Sequence, residues 1–355
     1  MLMESKKQTL FAEVLSQKTL DLIGRLNREH KSTFLIPTRF ISAENAQLAY
    51  LVDAYCNHKR QTHDRKIFRS FFVSSRYEAL QGAIKLIRHN GLLRGKKGIW
   101  ILDPEKEFNF LINPLNQARE EDFLIPGLKI ATSFGELQKG MQTAGAVAGV
   151  ILRNTGKGLS VADCADLIER SAEQNIITLW DDPDLDLQGE CLLHQLRRLP
   201  DMVIFGESLT EYQIPFVLFS MSAETHAPWA KTETCLNHTS TYAGNKLVVT
   251  KARDIFLEKA TCISENREIK ETCRKIEEDP RDVFHYFAKH VNPGMVTFYN
   301  LIGYDFICQN GHGSKLNIRT RNGQNKEVID VVSGGGAAIR RPQPDRYYPK
   351  SAGNL

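Results

Sequence analysis

Four short segments place chemically capable side chains at the ends of apolar runs. Ser74-Ser75-Arg76-Tyr77-Glu78-Ala79 opens a helical pattern directly after such a run. The free backbone N–H groups and positive dipole end of a helix starting there suit a phosphate. The bland alternative is ordinary capping by Ser74 or Ser75. Asp181 directly follows the apolar stretch 176–180 (IITLW). A carboxylate in that position can hold the protonated nitrogen of a pyridine ring, or it can be a turn residue in Asp-Asp-Pro-Asp. Gly206-Glu207 directly follows the apolar run 202–205 (MVIF). The loop 238–245 (HTSTYAGN) carries hydroxyls at Thr239, Ser240, Thr241 and Tyr242 ahead of Gly244.

These segments matter only if the chain aligns them, and its periodicity predicts how. Apolar residues at helical spacing run through 8–28 and through 43–59, the latter preceded by Ser42 as N-cap. Short apolar runs then alternate with helix-sized segments. The runs are 67–73, 98–102, 146–152, 176–180, 202–205 and 215–219; helical patterns fill 74–90 and 161–175, with Ser160 capping the second. Such alternation implies right-handed crossovers and a mostly parallel sheet, hence an α/β domain. Open α/β sheets bind ligands at the carboxyl ends of their strands, where the segments named above would gather.

The stretch 250–280 changes to a charged pattern with Glu/Lys and Arg/Glu neighbours at three or four spacing, read as a solvated connecting helix. Beyond Pro293-Gly294, alternation around Asn322-Gly323 predicts a β-hairpin. The closing RRPQPDRYYPKSAGNL is Pro-rich and polar and is expected to fray. The expected divisions are an N-terminal helix (1–29), the large α/β domain (30–250), the charged helix (251–284), the hairpin segment (285–340) and a flexible tail (341–355).

Composition excludes several function classes. With 355 residues, 42% hydrophobic and a net charge of +4, the chain can bury a sizeable core. So small a charge gives no polyelectrolyte signature for nucleic acid. No run of about 18 apolar residues or signal-peptide pattern is present, so a soluble, cytoplasmic protein is expected. The seven cysteines form no CxxC pair and the ten histidines no HExxH, which argues for reduced thiols rather than a disulfide framework or a zinc site. RNTGKGLS (153–160) lacks P-loop spacing, and no GxGxxG occurs, so a nucleotide-dependent enzyme is a weaker third class.

Taken in order, the four segments resemble the class III aminotransferases, the pyridoxal-phosphate enzymes that include the ornithine and 4-aminobutyrate transaminases. FFVSSRYEALQGAIKLIR is similar to that family's strand, phosphate turn and helix. IITLWDDP resembles its strand ending in Asp-Glu-Val. PDMVIFGESL followed by IPFVLFSMS resembles the segment bearing Gly-Lys-x-Leu, and HTSTYAGN resembles His-Gly-x-Thr-Phe/Tyr-x-Gly-Asn. The resemblance covers about 30–255 and implies the fold type I large domain. It implies a cofactor held by Ser75, Arg76, Asp181 and Thr241, and pairing as a homodimer or with a catalytic module. A further likeness of 292–335 to the family's opening segment implies a tandem arrangement that stops early in a second module; the competing reading is a permutation in which 292–335 folds back and completes the first module's sheet.

The departures bear on activity. Glu207 stands where the family has the lysine that forms the Schiff base, and a carboxylate cannot form an imine. Arg76 and Tyr77 replace small residues of the phosphate turn, and the ring-stacking aromatic-His-Gly segment is not recognisable in 103–110 (DPEKEFNF). At about 7 Å, Glu207 would repel a phosphate charge by roughly 2–3 kcal/mol at an effective dielectric near 20. Hydrogen bonds from Thr241 and Asp181 return about 1–3 kcal/mol each. The two nearly cancel, so weak or absent pyridoxal phosphate binding is expected, together with a catalytically inactive binding or assembly module. The alternative is an active transaminase with its lysine relocated to Lys231 or Lys246.

Overall fold

The computed structural model describes residues 15–29, 41–112, 125–143, 147–154, 160–182, 185, 187–188, 191–240, 244–301, 304–309, 315–320 and 325–330. Seven strands form one sheet: β1 (Phe68–Val73), β2 (Gly98–Leu102), β3 (Leu128–Ala131), β4 (Val147–Arg153), β5 (Ile177–Asp182), β6 (Met202–Phe205) and β7 (Val217–Ser222). Their order is β1-β7-β6-β5-β4-β2-β3. Neighbours from β6 through β3 pair in parallel, and β7 runs antiparallel to both β6 and β1. Strands β4 to β7 are buried at every position. Both faces of the sheet are therefore covered, which is why these strands read as continuous apolar runs rather than alternating ones.

The helices are α1 (Gln17–Arg28), α2 (Ala43–Cys56), α3 (Arg76–Leu93), α4 (Asn109–Ile112), α5 (Phe134–Thr143), α6 (Val161–Glu173), α7 (Leu192–Gln195), α8 (Ala223–His226), α9 (Lys246–Lys259), α10 (Thr261–Ser264), α11 (Arg267–Glu278), α12 (Pro280–His290) and α13 (Pro293–Leu301). Ser42, Ser75 and Ser160 cap α2, α3 and α6, each hydroxyl accepting from the amide three residues on. Helices α3 and α6 pack on the central strands, α5 on β2 and β3, and α2 and α12 on β1.

Three details differ from the sequence reading. Strand β3 escapes it because LKIA is four residues long, carries Lys129 and lies at the sheet edge. The charged stretch is not one exposed helix. Helix α9 buries Val249, Ala252, Ile255 and Phe256, and the solvated ion pairs lie on α11, where Arg274 meets Glu271 at 2.6 Å. The C-terminal hairpin is part of a separate antiparallel sheet of β8 (Tyr304–Gln309), β9 (Lys315–Thr320) and β10 (Asn325–Asp330). Strands β9 and β10 pair across Asn322-Gly323, which itself lies outside the described residues. Residues 8–14 of the N-terminal helical pattern and the tail also lie outside them. Among the described residues the cysteines are unpaired, no group of three or more ligating side chains could hold a metal, and no helix is long and apolar enough to cross a membrane.

Close packing of α5 on the sheet depends on Gly140. A methyl group there would lie 2.3 Å from the Trp100 ring carbons Cη2 and Cζ2 on β2. An exposed helical Gly→Ala change normally adds about 1 kcal/mol of stability. Overpacking a rigid ring costs about 1–3 kcal/mol and reverses the sign. Gly140→Ala is therefore expected to lower the urea midpoint of unfolding; a raised midpoint would contradict this packing.

Candidate functional site

Five strand ends contribute charged side chains to one buried centre. Arg76 is the first residue of α3, just past β1. Asp103 follows β2 and is succeeded by Glu107. Arg153 ends β4, Asp181 lies in β5, and Glu207 opens a short 3-10 turn after β6. All lie at the carboxyl ends of their strands, as the doubly covered sheet predicts for a ligand site.

Asp181 is fully buried, with Arg76 Nε 3.5 Å from Oδ1 and Arg153 Nε 4.0 Å from Oδ2. These are charge contacts, longer than hydrogen bonds. Arg153 also reaches Asp103 Oδ1 at 3.3 Å, pairs with Glu107, and sets its guanidinium 4.8 Å from the centre of the Phe108 ring. Phe108 is itself buried, and its N–H donates to Asp103 Oδ2 at 2.8 Å. Burial pushes the Asp181 carboxyl above the usual carboxylate range. Arg76 and Arg153 pull it down, while the charges of Glu207 and Asp103 add to the upward push. Two guanidinium groups thus face four carboxyl groups, and the centre is acid-rich.

Ser75 caps α3 through Glu78 N–H at 3.2 Å, and the Glu78 carboxylate accepts Ser74 N–H at 2.9 Å. This reciprocal box satisfies the Ser74 and Glu78 amides at the start of the helix. Of the hydroxyl loop, Ser240 is buried; Thr241 lies outside the described residues. The structure brings Arg76, Asp181 and Glu207 together and places Ser75 beside Arg76 in sequence at the head of α3. Asp103 and Arg153 were not singled out from the sequence. Each directly follows an apolar run, the same signal that marks Asp181.

The residues present do not fit pyridoxal phosphate. Both Asp181 oxygens lack a hydrogen-bond partner among the described residues, so the acceptor for a ring nitrogen exists. The rest of the donor set disagrees. Arg76 rests on that carboxylate, and Glu207 supplies a carboxylate where an amine is needed. Lys246, buried in α9, holds Glu44 Oε1 at 3.0 Å, and Lys231 is exposed.

No protein-family model matches the chain, and no curated protein sequence does. Solved structures share its fold. An ornithine aminotransferase from Toxoplasma gondii is 13% identical with a TM-score of 0.54, the match covering 86% of this chain and 70% of that one. A transaminase from the marine bacterium Virgibacillus is 15% identical with a TM-score of 0.54, over 86% and 70%. The taurine:2-oxoglutarate aminotransferase from Bifidobacterium kashiwanohense, solved with PLP and glutamate, is 16% identical with a TM-score of 0.53, over 89% and 73%. The mostly parallel seven-stranded architecture is that of the fold type I pyridoxal-phosphate-dependent aminotransferases.

Proposed function

We propose that this chain is a non-catalytic member of the class III aminotransferase group, serving as a binding or assembly module. The observation that carries the reading is the guanidinium of Arg76 lying 3.5 Å from Asp181, beside Glu207 at the strand end. The guanidinium already balances that carboxylate, so an incoming pyridine nitrogen would have to share it or displace the arginine. Neither Lys231 nor Lys246 supports a relocated nucleophile: the first faces solvent and the second is tied to Glu44. By resemblance, the assembly role involves a second copy of this chain or a catalytic aminotransferase module.

Mixing the full chain with pyridoxal phosphate should produce no new visible absorbance beyond that of the free aldehyde. Borohydride treatment should fix no label on the protein. A labelled peptide containing Lys231 or Lys246 would overturn the reading in favour of an active transaminase. Sedimentation analysis of the chain, alone and with a catalytic aminotransferase, tests the assembly half. Finding only monomers in both cases would contradict it.

A further inference from the structure

The segment after β6, which opens with Glu207, ends in strained backbone. Glu211 and Tyr212 are consecutive and both left-handed, with φ of 56° and 59°, the one place among the described residues where two successive non-glycine residues are so. Gln213 N–H closes the turn on Thr210 O at 3.2 Å. Positive φ at both central residues defines a type I′ turn, which suits Asn-Gly and disfavours side chains such as those of Glu and Tyr. The turn reaches back to the charged centre through the main chain, since Tyr212 N–H donates to Glu207 O at 3.1 Å.

Two helices distant in sequence grip this turn. From α9, Lys251 Nζ donates to Glu211 Oε2 at 3.0 Å and Lys259 Nζ to Glu211 Oε1 at 2.6 Å. The Lys251 side chain is 4% exposed, so its charge is balanced inside the protein by that carboxylate. Burial alone would raise the Glu211 carboxyl, but the hydrogen bonds and charges of Lys259 and Lys251 outweigh it and hold the group at about 2. From α1, Ser16 Oγ donates to Gln213 Oε1 at 2.9 Å, and the Thr19 hydroxyl donates to the same oxygen. Lys251 Nζ also donates to Thr19 Oγ1 at 2.8 Å, which joins the two helices. Four side chains thus hold a conformation that the turn's own residues disfavour, the condition under which local strain persists in a fold.

We propose that this turn is a latch: α1 and α9, gripping residues 211 and 213, hold it left-handed and so set the Glu207 carboxylate beside Asp181. Losing the grip lets the turn relax and moves that negative charge away from the centre. The docking of α1 is thereby coupled to the charge balance around Asp181 through an element with two arrangements. The device concerns the geometry of the centre and is independent of whether the chain is catalytic.

A double-mutant cycle in the full chain tests the latch by hydrogen exchange at the Gln213 amide. Lys259 is 40% exposed, so Lys259→Gln leaves the core intact. It should speed that exchange about tenfold. In Tyr212→Gly, where left-handed backbone is no longer disfavoured, the same lysine change should speed it less than about threefold. Equal acceleration in the two backgrounds, or none in either, would overturn the proposal, because an ion pair that only ties α9 to the turn is indifferent to backbone strain. The link to the centre is read from the Asp181 carboxyl by carbon-13 NMR. Glu207→Gln should lower its titration midpoint, because the Glu207 charge adds to the upward push on Asp181. Thr19→Val, on α1, should lower it too, and should leave it unmoved in the Tyr212→Gly background. A midpoint that ignores Glu207→Gln, or that moves in Glu207→Gln and stays fixed in Thr19→Val, would overturn the coupling.

Discussion

Arg153→Ala is expected to lower the unfolding free energy by about 3–5 kcal/mol, the range for removing one partner of a buried charge cluster. The arginine side chain is 5% exposed, and Asp103 and Asp181 are fully buried. Without the guanidinium, among the described residues Asp103 keeps only the Phe108 N–H at its other oxygen, and Asp181 keeps only Arg76. The packing of the guanidinium on Phe108 is lost as well. Denaturant unfolding at pH 7 measures the effect as a fall in midpoint with an unchanged slope. The deficit should shrink at lower pH, where the raised Asp181 carboxyl takes a proton first and no longer needs a counter-charge. A loss below about 1 kcal/mol would place this cluster among solvated surface pairs, whose worth is about 0–1 kcal/mol, and would contradict its burial.

Acidification from pH 7 to pH 5 should remove stability, about 2–3 kcal/mol of it through His226, His290 and Asp53. His194, also held low at about 4 by burial, adds in the same direction. His226 and His290 are both held to about 3 in the fold, chiefly by burial. Arg69 Nη1 lies 3.2 Å from His226 Nδ1, and a guanidinium can only donate, so protonating that nitrogen would set two cations together. Unfolded histidine titrates near 6.5. The unfolded chain therefore takes up protons first. The stabilisation is fully present above about 6.5 and is lost as pH falls from there toward 3, at about 2 kcal/mol per histidine between pH 7 and 5.

Asp53 works in the opposite direction. Burial raises it to about 6, so the fold binds its proton more readily than the unfolded chain does, and the strain of the buried charge is relieved as pH falls through 6. That returns about 1 kcal/mol over the same window. The histidines win. Urea titrations at pH 7, 6 and 5 should show falling midpoints, and His226→Gln should flatten the slope. Stability that is level or rising toward pH 5 would contradict the buried, neutral histidines.

Six of the seven strands of the main sheet were legible because burial on both faces makes a parallel strand an unbroken apolar run, as in VAGVILR and MVIF. The helix starts were legible because Ser42, Ser75 and Ser160 satisfy amides three residues away, an interaction confined to one turn. Strand β3 was not, since a four-residue edge strand has too little apolar pattern of its own. The charged stretch misled for a related reason. Its composition is dominated by exposed Glu, Lys and Arg of α11, and nothing local reveals that α9 presses Val249 and Phe256 against its neighbours.

The identity of the groups at each strand end was settled in one dimension: a carboxylate at 181, a carboxylate at 207 and an arginine at 76 stand directly after or within recognisable local patterns. Which of them meet was not, because charge pairing here joins residues from 50 to about a hundred positions apart, and sequence spacing carries no record of strand order. Only when β1, β2, β4 and β5 line up does Arg76 come to rest on Asp181 and Arg153 bridge to Asp103. The grip on the Glu211 turn is a product of the same long-range assembly, since Thr19 and Lys251 reach it from α1 and α9.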